Sequence, residues 1–214
     1  MIPGYVTIWL SVIIVILFAT GWKPYLAPRL GTLGVIVLGI AVAIAAYTGY
    51  WWSPFPESLP TVRIHVIIAV LLAGSLLALA NNANKGQRSY LMLCALMLSI
   101  IWGSIRSLYT HDPVLYWLEP AWNASLFCGL LCPLFTLNIR YQCGALLWGS
   151  VLGEIICAWL DHGVYKAAVG SIQWWDSLSI AASAAFGCSL AVYGVKRSAA
   201  IMVRTMSRPG KGGE

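Results

Sequence analysis

One carboxylate sits where carboxylates rarely sit. Glu154 lies near the middle of a long apolar run, residues 143–162. A charged residue at that depth of a bilayer costs roughly 2.5–3.5 kcal/mol on insertion scales, so it needs a partner, a proton or a task. Helical spacing puts Ser150, Glu154, Cys157 and Asp161 on one stripe of the run. A second stripe carries Ser99, Gly103, Arg106 and Thr110. Arg63 and His65 open the third apolar run of the chain, and Asn123 enters on the fifth. Glu154, Arg106, Arg63, His65, Asn123 and Asp161 together imply a polar cluster, open to one membrane face and floored by Glu154. A carboxyl placed so can hold a proton or a cation, as a small proton-coupled transporter or channel requires. A structural reading stands beside it. Both arginines can snorkel to head groups, and Glu154 can be protonated or paired with one of them. Asp161 and His162 then simply meet water at a helix end.

Other chemistries leave weaker traces. His65, His111 and His162 fall on three separate segments without ligand spacing, so no metal site is expected. Cys128 and Cys132 stand four residues apart on one helix, where cysteine packs as a small hydrophobe. The six cysteines suggest no disulfide framework. There is no H-E-x-x-H, P-loop, G-x-G-x-x-G or G-x-S-x-G sequence. No lysine lies between Asp176 and Val195 to hold retinal. No cofactor is therefore expected. An intramembrane enzyme working through the histidines and carboxylates is the third functional reading.

The elements that must position these residues follow from composition. The 214 residues are 60% hydrophobic and only 9% charged, with a net charge of +6. A soluble domain carries about 25% charged residues. These values exclude a soluble enzyme, a disordered chain and a nucleic-acid-binding domain. A membrane helix takes roughly 20 apolar residues, and seven runs qualify: 5–22, 31–50, 62–80, 89–109, 120–138, 143–162 and 176–195. None alternates as barrel strands do, so the fold expected is all-α, a polytopic bundle of seven transmembrane helices. Residues 1–195 form the membrane domain, and 196–214 a basic, unstructured cytoplasmic tail.

Loop charge orients the bundle. Lys23, Arg29, Lys85, Arg88, Arg140, Lys196, Arg197, Arg204, Arg208 and Lys211 fall on one side. Glu57, Asp112, Glu119, Asp161 and Asp176 fall on the other. By the positive-inside rule the N-terminus is outside and the C-terminus cytoplasmic. Trp51, Trp52, Trp117, Trp122, Trp159, Trp174 and Trp175 cluster at the outer boundary, and Trp22 and Trp148 near the inner one. That is an aromatic belt. Residues 111–113 read as a turn, and 163–172 as a short interfacial helix.

Small residues at four-residue spacing suggest packing seams. Ala145, Gly149, Gly153 and Cys157 line the sixth span, and Ser179, Ser183, Gly187 and Ala191 the seventh. Gly149, Gly153, Ser183 and Gly187 are expected to bring these two spans together. The second span carries Ala41, Ala45 and Gly49. Pro133 should kink the fifth span, and Pro120 suits its first turn.

The opening Gly4-Tyr5-Val6-Thr7-Ile8-Trp9-Leu10, followed by Thr20-Gly21-Trp22-Lys23, resembles the YphA-like membrane proteins of Bacillus-type bacteria. The resemblance implies a bacterial cytoplasmic membrane and carries no functional residues. The leading functional expectation is a non-enzymatic accessory or interaction protein of the cell envelope. Its partners would be the lipid bilayer, anionic lipid at the basic tail and another membrane protein, with no nucleic acid.

Overall fold

A computed structural model describes residues 3–21, 49–82, 85–111, 120–162 and 164–206. Most of the second span, the loop residues Asp112, Trp117 and Glu119, Trp22 with the two basic residues after it, and the tail beyond Met206 lie outside them. Among the described residues are six helices: α1 (Tyr5–Ala19), α2 (Val66–Asn82), α3 (Lys85–His111), α4 (Pro120–Phe135), α5 (Ile139–Leu160) and α6 (Ile172–Met206). Three contain stretches long and apolar enough to cross a membrane: Gly86–His111, Ile139–Leu160 and Ile172–Ala200. Shorter apolar helical stretches fall at Tyr5–Leu17, Val66–Leu76 and Trp122–Phe135. Pro120 opens α4, where its missing N–H would be unpaired anyway. Pro133 lies inside α4, which ends at Phe135. Asn138 caps α5, its side-chain oxygen accepting from the Arg140 N–H at 3.2 Å. The last helix continues through 196–206, a stretch that the sequence assigns to the tail.

Apolar residues cover the outside: Ile8, Val12 and Val15 on α1, and Met92, Leu93 and Leu96 on α3, are exposed. Polar side chains are held inside, among them Ser99, Asn123, Gln142, Ser150, Glu154, Asp161 and Asp176. That inversion of the soluble pattern suits a hydrocarbon solvent.

The small-residue seam of α5 faces α3, with which α5 makes its most extensive contact. A Cβ built on Gly149 would lie 3.0 Å from Leu98 Cβ, and one on Gly153 only 2.8 Å from Trp102. This corrects the expectation that the sixth and seventh spans meet through it. The partner of α6 is chiefly α4. Gly129 of α4 is pressed against the backbone of Ala181 and the methyl of Ala184. Ser183 is exposed, and nothing lies within 4 Å of a Cβ on Gly187. Four-residue spacing says that a helix face is smooth, not which neighbour takes it.

A small sheet caps one end of the bundle. Its order is β1 (Trp51–Trp52), β2 (Arg63–His65), β3 (Ala168–Val169). The β1–β2 pair is antiparallel with Trp51 opposite His65; the β2–β3 pair is parallel with Arg63 opposite Ala168. Two expectations are corrected here. The start of the third span is a strand, and among the described residues 163–172 contribute β3 in place of an interfacial helix. Val62, Ile64, Ala167 and Val169 are all buried beneath the sheet, beside Ile68, Val151 and Trp174. Their alternation is only two or three residues long, too short to stand out from the apolar helix that follows. Gly170, at φ +97°, turns the chain from β3 into α6.

The first and last helices are tied by one carboxylate. Asp176 accepts from the Gly4 N–H at 2.6 Å, the Thr7 N–H at 2.8 Å and the Thr7 hydroxyl at 2.7 Å. These amides open α1, so Asp176 caps that helix from another element. Asp176→Ala should cost about 1–3 kcal/mol. Amide exchange of residues 5–10 should accelerate while that of α3 and α5 stays put; unchanged exchange in α1 would show that the cap is idle.

Candidate functional site

The stripe on α5 is buried throughout: Ser150, Glu154, Cys157 and Asp161 all lie inside. It faces the stripe on α3, and the two bring Glu154 and Arg106 together. Arg106 Nη1 stands 2.9 Å from Glu154 Oε1. No N–H of Nη1 points along that line, so the contact is an ion pair held by charge and not a directed hydrogen bond. Trp102, one turn before Arg106, donates its Nε1–H to the same oxygen at 3.3 Å. Tyr165, in the loop after α5, donates its hydroxyl to Oε2 at 2.6 Å. The Arg106 guanidinium also lies 5.5 Å from the centre of the Tyr165 ring, within range of a cation–π attraction. Burial, with the Glu154 charge beside it, pushes the Tyr165 phenol well above its usual range. Its hydroxyl is thereby kept as a donor.

Two turns further along, Asp161 has its own partners. Ser107 Oγ donates to Oδ1 at 2.6 Å, and Cys157 Sγ lies 3.8 Å from Oδ2. His111 Nδ1 is 3.6 Å from Oδ1, on a ring that is mostly exposed. The serine hydroxyl is bound to the carboxylate and not to the imidazole, which rules out the relay of a hydrolytic triad.

The other members of the expected cluster stand elsewhere. Arg63 is exposed on β2. His65 is buried on the same strand, edge-on to Trp51 at 5.2 Å. Asn123 is buried in α4, and its Nδ2 finds no acceptor among the described residues. None of the three makes a polar contact with Glu154, so the wide pocket expected over that residue is a closed ion pair. Sequence reasoning missed Trp102, Ser107 and Tyr165. Trp102 and Arg106 are four residues apart on one helix face, a usable signal. Tyr165 has no periodic signal, because it reaches Glu154 from a loop. Gln142, also missed, ties the opposite end of α5 by donating to Thr136 O at 2.6 Å and Ser189 Oγ at 2.7 Å.

Around Glu154 the geometry provides a fixed charge pair, with each carboxylate oxygen occupied. Comparison with known proteins bears on the whole chain. No curated protein and no solved structure matches it. A family model does, over residues 3–211. The described helices are sheathed in apolar side chains around a polar interior, and the chain belongs to the YphA-like integral membrane protein family.

Proposed function

We propose that the chain is a non-enzymatic accessory protein of the bacterial cell envelope, acting through contacts with another membrane protein. It crosses the plasma membrane seven times, with the N-terminus outside and the C-terminus in the cytoplasm. The one-sided distribution of basic loop residues supports that orientation. The basic tail adds attraction to anionic lipid, about 1 kcal/mol per residue near the surface. The observation that carries the functional reading is the saturation of Glu154 by Arg106, Trp102 and Tyr165. A carboxylate that exchanges protons or cations needs a vacant coordination position and a path to water, and this one has each oxygen engaged.

The test is labelling of the folded protein with a lipid-soluble carbodiimide, which attacks protonated carboxyls within the membrane, read at Glu154 by peptide mass spectrometry. No labelling across the neutral pH range is expected. Labelling that titrates there would overturn the reading and make Glu154 the proton site of a transporter.

A further inference from the structure

A cavity of about 590 Å³ opens beside the sheet, away from Glu154. Its wall includes Trp51, His65, Gly170, Ser171, Gln173 and Trp175. Three observations give it a chemical preference. First, His65 is only 5% exposed. Its Nδ1 accepts from the Ile67 N–H at 3.4 Å, which assigns the ring proton to Nε2. Among the described residues Nε2–H meets no acceptor, so this otherwise buried residue keeps an unused donor at the cavity wall. Second, the 35-residue helix α6 begins at this wall. Ser171 precedes it, taking the Trp174 N–H on its hydroxyl and the Trp175 N–H on its carbonyl. The Ile172 and Gln173 amides carry no such bond and sit at the positive end of the helix dipole. Third, Arg63, exposed and two residues before His65 on the same strand, is paired with Ala168 of the cavity wall, so a cation stands on the neighbouring strand position. Asp176 lies one turn into α6, but its carboxylate is turned to Gly4 and Thr7 and spent there.

An unused donor, a helix N-terminus and tryptophan rings in the wall of one cavity describe a site for an oxyanion on an apolar body. We propose that this cavity binds a phosphate ester, with the phosphate between His65 Nε2–H and the first amides of α6. The ester's apolar portion lies against Trp51 and Trp175. Phosphate reaches this depth of a membrane either as a phospholipid head group or as a soluble phosphomonoester. Gly170 keeps the floor of the site close: a Cβ there would come within 2.6 Å of His65 Cβ.

The experiment uses the full chain in detergent, titrated with phosphatidylglycerol, diacylglycerol and glycerol 3-phosphate and read by native mass spectrometry and calorimetry. Two variants accompany it. His65→Phe removes the donor and keeps a ring against Trp51. Gln173→Glu places a negative charge at the cavity mouth on an exposed position, where a first-turn carboxylate favours the helix, so the fold survives. Phosphatidylglycerol should bind at one site, and diacylglycerol at least about tenfold more weakly for want of the charge-assisted bonds. Gln173→Glu should lose a similar factor. Binding of glycerol 3-phosphate at comparable strength identifies a soluble ester as ligand, and its failure to bind identifies the lipid; both outcomes support the site. Equal binding of diacylglycerol and phosphatidylglycerol, binding indifferent to Gln173→Glu, or no binding of any phosphate would overturn it.

Discussion

Arg106→Met destabilises the folded protein by about 3–5 kcal/mol, because it leaves Glu154 as a buried carboxylate without its cation. Glu154→Gln costs less. The amide oxygen still accepts from Trp102 or Tyr165, and the freed guanidinium, 11% exposed, has some reach towards water. The double variant Arg106→Met/Glu154→Gln buries no charge at this point. It should be more stable than the sum of the single losses predicts, with a coupling of about 1–3 kcal/mol. Unfolding in one detergent, followed for all four proteins, closes the cycle. Simple additivity would mean that the two charges do not sense each other. Because tyrosine and tryptophan both serve Glu154, Tyr165→Phe should sit between wild type and Arg106→Met.

The second large effect is steric. Gly153→Val forces two methyl groups into the Cβ, Cγ and Cδ1 atoms of Trp102, which already leave only 2.8 Å for a first carbon. Overpacking of this kind costs about 1–3 kcal/mol and more when backbone must shift. Here the displaced ring is also the one that donates to Glu154, so packing and polar loss are combined. Gly187→Val is the control: it has the same residue type, spacing and helix environment, but open space around it. Loss of the monodisperse folded form in Gly153→Val but not in Gly187→Val is the expected result. Equal tolerance of both would remove the close α3–α5 approach as a source of stability.

The contrast between those glycines shows where a sequence stops being legible. Hydropathy marks where the helices are, because each apolar run is long and the signal accumulates over many residues. Helical period marks which residues share a face, and so the Ser150–Glu154–Cys157–Asp161 stripe and the Arg106 stripe were readable. That they face each other was within reach, since charge in lipid seeks the opposite charge. Which helix receives the glycine seam was not readable: the seams of α5 and α6 look alike in one dimension, and only three-dimensional packing distinguishes them. The sheet was hidden for a different reason. Strands of two or three residues carry no period, and Arg63–His65 runs directly into the apolar helix that follows. Loop contacts such as that of Tyr165 are decided by tertiary geometry alone, and this hydroxyl, with Arg106 and Trp102, fills the place where a pocket was expected around Glu154.

Asp176 imposes an order in time. Its carboxylate is 172 residues from Gly4 along the chain, and the amides it caps belong to a helix that leaves the ribosome well before it. At synthesis rates of about 5–20 residues per second, α1 spends roughly 9–34 s in the bilayer before its cap exists. During that interval its first amides depend on water, head groups or the insertion machinery. The bond between Asp176 and the start of α1 is therefore a late stitch of assembly, available only once α6 has arrived. A chain stalled before residue 176 carries α1 without this cap.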